Sequence, residues 1–292
     1  MQYLISFLIT LAVIIIYVQV PLRVFGKGKS KIYIREHRLT FLVYFVLRLL
    51  VTFTMIRSIY QENYYNAFLC LVTLMLFAAP MFIENKLLIE FPTVFEITIL
   101  IFIFSAEILG EIESYYTLHQ GWDTALHTLN GFLCAAVGFS LFDMLNRELS
   151  SKISLSPFYL ALVAFCFSMT IGVLWEFAEF AADRILLLDA QKDFTVTSFG
   201  TVYFDPDGLN QVLQIKDITS TLISTADGSV YRIDGGYLDI GIIDTMKDLL
   251  VNLIGAAVYS ISGYFLKKNE HGINFAEKFV IRVLHKNDEN RS

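Results

Sequence analysis

Asp123, His127, Glu176 and Asp244 are the residues whose types and spacing could hold a divalent metal ion. Asp123 and His127 are four apart, so on a helix they stand one above the other on a single face. Glu176, Glu179 and Asp183 follow at i, i+3 and i+7, and Asp244 and Asp248 at i and i+4. Glu107 and Glu111 repeat the four-residue step. Such pairs are how helical bundles aim ligands inward. Carboxylates joined by one imidazole suit Zn, Mn, Fe, Mg or Ca, and spacing alone does not choose among them. A bound ion would acidify water, with Glu179 or Asp248 placed to take a proton. Glu107, Glu111 and Asp183 are additional ligand candidates.

These residues sit at the ends of long apolar runs. Charged side chains at membrane depth turn inward and pair, or mark a site. Several carboxylates together repel one another unless a cation neutralises them. Lys247, Arg184 and Arg57 are the protein cations near them in sequence. A bound metal is the simplest resolution. Acids at span ends are also commonly just hydrated at the interface, and that plainer role remains open for each pair. His119 reads as ordinary surface. Trp122, Trp175, Tyr115 and Tyr116 read as an interfacial belt. Arg48 reads as a snorkelling side chain or as the partner of a buried carboxylate such as Glu96.

The elements that must position them are membrane spans. The chain has 292 residues, 55% hydrophobic and 17% charged. Soluble domains carry about 25% charged residues. Runs of 18 or more apolar residues recur, which is the signature of bilayer helices. The net charge of -6 argues against a nucleic-acid partner, which calls for a basic patch. Cys70, Cys134 and Cys166 all lie inside apolar runs, so neither a disulfide framework nor a Cys-x-x-Cys metal motif is expected.

The expected fold class is an all-α transmembrane bundle of about seven helices, with a small β-rich extracytoplasmic insertion between helices 6 and 7. Residues 1–183 hold six spans, near 3–20, 39–56, 66–83, 92–110, 123–142 and 157–180. Residues 184–242 form the insertion, 243–265 the seventh span, and 266–292 a cytoplasmic tail. In the insertion, Asp227-Gly228 stands between Leu222-Ile223 and Val230-Tyr231, a hairpin signal. Asp205-Pro206-Asp207-Gly208 is a second turn. In the tail, Phe275, Phe279 and Val283 recur every four residues, the spacing of a short interfacial helix.

Fifteen basic residues fall on one set of connections: Arg23, Lys27, Lys29, Lys31, Arg35, Arg38, Lys86, Arg147, Lys152, Lys267, Lys268, Lys278, Arg282, Lys286 and Arg291. The opposite set carries five: Arg57, Arg184, Lys192, Lys216 and Arg232. Positive residues stay inside, so the plasma membrane is expected to hold the N-terminus outside and the C-terminus in the cytoplasm. The acidic span ends then all face outward.

At these same residues the chain resembles the YjdF-like family of bacterial inner-membrane proteins. The resemblance is carried by Gly110-Glu111, by Trp122-Asp123-Thr124-Ala125-Leu126-His127 with Gly131-Phe132, by Trp175-Glu176-Phe177 with Glu179, and by Asp244-Thr245 with Asp248 and Gly255-Ala256. These pieces span 110–256. The family usually has a shorter connection before its Asp-Thr-x-x-Asp piece, so the β-rich insertion is a departure. The resemblance implies a polytopic membrane protein with polar residues gathered near one face, and it implies no particular reaction.

Three function classes fit. The first is a metal-dependent membrane hydrolase or transferase acting on a lipid or peptide at the outer leaflet. No Gly-x-Ser-x-Gly or His-Glu-x-x-His motif is present. The second is a cation- or proton-coupled transporter, against which the acids cluster at one face and no inverted repeat is visible. The third is a non-catalytic scaffold or sensor. The lipid bilayer is the one partner that composition names.

Overall fold

The computed structural model describes residues 38–148, 155–268 and 274–283. The expected first span, 3–20, lies outside these residues. So do Arg23, Lys27, Lys29, Lys31, Arg35, Lys152, Lys286 and Arg291. Among the described residues six helices are long and apolar enough to cross a membrane, and they match the six remaining expected spans.

Helix α1 (Arg38–Tyr60) is followed by α2 (Tyr64–Leu76) and α3 (Ala79–Leu87). Pro80 lies in the first turn of α3. Proline is tolerated there but would break an interior turn, so the apolar stretch 64–84 bends as two helices. Strand β1 (Ile89–Glu90) leads to α4 (Thr93–Phe104), which continues directly into a π-helix, Ser105–Ile112. A short α5 (Tyr115–Leu118) precedes the long α6 (Trp122–Glu148) and α7 (Pro157–Leu186).

Strands β2 (Thr195–Val196), β3 (Phe199–Thr201), β4 (Leu213–Ile215), β5 (Ser220–Ser224), β6 (Val230–Asp234) and β7 (Tyr237–Leu238) follow. Then come α8 (Ile242–Lys268), α9 (Asn274–Glu277) and β8 (Arg282–Val283).

The described chain divides into two compact units. The first holds the described residues up to Ser168 and those from Asn252 onward. Its apolar centre joins Leu47, Val51 and Met55 of α1 to Cys70 and Phe77, and to Leu100, Ile108 and Ile112. Helices α6 and α8 run parallel here. Phe139 packs edge-on against Tyr259, centroids 6.0 Å apart, and Lys267 Nζ lies 2.7 Å from Asp143.

Two glycines fix the approach of this helix pair. A Cβ on Gly131 would overlap the main-chain oxygen of Asn252, and one on Gly255 would overlap that of Thr128. Small residues at helix interfaces allow such approach in membranes.

The tail differs from the expected interfacial helix. Among the described residues of the tail one turn, α9, is helical, and Phe279 is buried, with its ring 4.9 Å from that of Phe132. β8 pairs antiparallel with β1, and Ile281 N donates to Ser140 Oγ at 3.0 Å. Burying Phe279 inside the bundle removes more apolar surface from water than an interfacial position would.

The second unit is Met169–Val251. Its strands form three two-stranded antiparallel sheets, β2–β7, β3–β4 and β5–β6. The β5–β6 hairpin turns at Asp227-Gly228 as expected. Gly228 has φ +87, a left-handed conformation open to glycine, and Asp227 Oδ1 accepts from Ser229 N at 3.0 Å. In the second expected turn Asp205 accepts from Asp207 N at 3.3 Å and from Gln211 N at 3.0 Å.

Candidate metal centre

Asp123 and His127 lie in the first turns of α6, and His127 Nε2 is 3.4 Å from Asp123 Oδ1. Both side chains are largely shielded, at 27% and 12% exposure for Asp123 and His127. Trp122 anchors this helix start. Its Nε1 donates to the Ser105 carbonyl at 3.3 Å, and its ring meets that of Tyr115 edge-on, centroids 5.0 Å apart. Tyr115 also packs against His119, centroids 4.4 Å apart. These rings thus pack together at one helix start, which goes beyond the belt role expected for Trp122 and Tyr115.

Helix packing carries the site along α8. Asn130 Nδ2 donates to Asn252 Oδ1 at 3.4 Å, and Asn252 is buried. One helical turn earlier on each helix stand His127 and Asp248. A ligand atom from each of Asp123, His127 and Asp248 lies within 4.8 Å of the others, an arrangement that could hold a metal ion. It is the only such group among the described residues. Two carboxylates and one imidazole are a mixed hard and borderline donor set, compatible with Zn, Mn or Fe.

The other expected ligands lie on α7, on α8 and in the π-helix. Asp244 is buried in the first turn of α8 and accepts Lys192 N at 2.8 Å through Oδ2. Asp183 accepts Ala190 N at 2.5 Å and Gln191 N at 3.0 Å, closing the end of α7. Glu176 is buried on α7, and Glu179, half-buried, accepts Trp175 Nε1 at 2.8 Å. Glu107 and Glu111 lie within the π-helix, half-buried and exposed respectively. π-helical turns are rare and frequent at functional sites; nothing in the apolar pattern of 93–112 announces this one.

The sequence matches a family model described as predicted membrane protein (DUF2238) over residues 41–269, well over half of the chain. The chain belongs to the DUF2238 membrane-protein family. Every residue of the candidate centre falls within the DUF2238 match, as does the β-rich insertion. The likeness to YjdF-like proteins is consistent with this membership. No curated protein and no solved structure matches the chain.

Proposed function

We propose that this membrane protein binds a divalent metal ion through Asp123, His127 and Asp248, and uses it to activate water for hydrolysis or group transfer at the bilayer surface. The observation that carries the reading is the grouping of these three ligand atoms within 4.8 Å. A metal there would neutralise the two carboxylates and lower the pKa of a bound water. Glu179, hydrogen-bonded to Trp175, is the proposed proton acceptor. Glu176 and Asp244 would support the centre as further carboxylates, with a lipid or peptide as substrate class.

The reading places the protein in the plasma membrane with the centre at the outer face. The excess of basic residues on the connections before α1 and after α8 supports that orientation. The β-rich residues 184–242 then stand outside the cell.

Elemental mass spectrometry of the purified full-length chain tests the metal. Near-stoichiometric Zn, Mn or Fe, lost in folded D248N and H127A, is the expected result. Protein purified without chelator that carries no metal, and takes up none of these ions on titration, would refute the proposal. Cation- or proton-coupled transport is the second reading, favoured by a buried carboxyl elsewhere in the spans, Glu96.

A further inference from the structure

Glu96 lies in the first turn of α4 and is only 3% exposed. Its Oε2 meets no hydrogen-bond partner. The rings of Phe91 and Phe95 are 5.3 Å apart, and Phe95, next to Glu96 in the chain, is buried. A polar oxygen left unsatisfied in such surroundings is costly, and a charged one far more so.

The Tyr44 hydroxyl of α1 is the polar group that reaches the Glu96 carboxyl, as a donor outside close hydrogen-bonding geometry. The guanidinium of Arg48, one turn along α1, lies 5.4 Å from the centre of the Tyr44 ring. Glu84 of α3 is within electrostatic reach of both Glu96 and Tyr44, and its Oε1 accepts Phe91 N at 2.7 Å. Glu90 of β1 faces Glu84 and sits opposite Arg282 in the β1–β8 ladder. No charged residue occurs in α2, which also packs against α4.

We propose that the Glu96 carboxyl is a proton-binding site, occupied at neutral pH and able to exchange its proton with water. Glu84 and Glu96 bring two carboxyls to a buried region that Arg48 supplies with one positive charge. One proton makes that set neutral, and the protonated carboxyl gains a donor beside its acceptor oxygen. Glu84 and Tyr44 act on the Glu96 carboxyl, and neither belongs to the Asp123, His127 and Asp248 group. The site is therefore separate from the metal centre, and its test does not depend on that reading.

Infrared difference spectroscopy of the full-length protein in vesicles, in H2O and D2O, tests it. The expected result is a protonated-carboxyl carbonyl band at pH 7 that shifts in D2O, vanishes in E96Q and persists in E84Q. A spectrum at pH 7 that E96Q leaves unchanged would overturn the proposal, since Glu96 would then be ionised. A band that appears only when sodium is replaced by choline would overturn it in favour of a sodium site. Should E96Q fail to fold, E96D keeps the acid but moves it by one methylene. Its band must then shift in frequency, and an unshifted band rejects the assignment.

Discussion

Gly131 of α6 lies directly against the main-chain oxygen of Asn252 on α8, with no room for a Cβ between them. Together with Gly255 against Thr128, this approach sets the register of the two helices. A Cβ at either glycine must push the helices apart, and overpacking costs typically 1–3 kcal/mol. G131A and G255A are each expected to lower stability by about 2 kcal/mol on that scale, read by thermal unfolding in detergent. Loss of bound metal in these variants without loss of fold would show that register, not ligand chemistry alone, makes the centre.

Metal binding itself should stabilise the fold. A ligand at 100 times its dissociation constant contributes about 2.7 kcal/mol. Chelator is expected to lower the Tm of the wild-type chain and to leave that of D248N unmoved. An identical chelator effect in both would place the metal elsewhere.

Asp143, almost fully buried near the end of α6, holds Lys267 at 2.7 Å and Arg147 at 2.8 Å. Removing one partner of a buried pair costs about 3–5 kcal/mol. Here Lys267 and Arg147 keep some water, at 26% and 70% exposure, so D143N is expected to cost less, about 2 kcal/mol. The double variant D143N/K267M should recover part of this loss. Denaturant unfolding in mixed micelles measures both, and a double variant less stable than D143N would refute the account.

Hydrogen bonds from backbone N–H groups, that of Gln211 foremost, hold the Asp205 carboxyl below its ordinary value, and the Thr225 hydroxyl, followed by the Ser229 N–H, does the same for Asp227. A carboxyl whose pKa is lowered on folding stabilises the turn above its unfolded value. That stabilisation is lost as pH falls through the folded value. The Gln211 and Ser229 amides should therefore lose exchange protection below the ordinary carboxylate range. D205A should remove Gln211 protection at every pH while leaving Ser229 protected.

Trp122 donates to the Ser105 carbonyl at the start of the π-helix. W122F keeps most of the ring and removes the donor, which costs about 1 kcal/mol for a typical hydrogen bond. Hydrogen exchange across 105–112 should rise in W122F. Unchanged protection there would mean that the π-helix is held by packing alone.

Much of this architecture is written in local pattern. An apolar run of 18 or more residues needs no partner to declare a span, because only a helix satisfies its own backbone in lipid. The Asp227-Gly228 turn is equally local, since left-handed backbone is cheap for glycine. The Asp123/His127 pair follows from helical periodicity alone.

The third ligand of the candidate centre does not. Asp244 and Asp248 share one stripe of α8, so periodicity cannot rank them. Asp248 is the acid whose oxygen groups with Asp123 and His127, while the Lys192 amide donates to an oxygen of Asp244. Nor does a sequence announce that Phe279 will turn back into the bundle, or that Glu96 will be sealed beside Tyr44. Periodicity places side chains on the face of one helix; only the depth and rotation of neighbouring helices decide which of them meet.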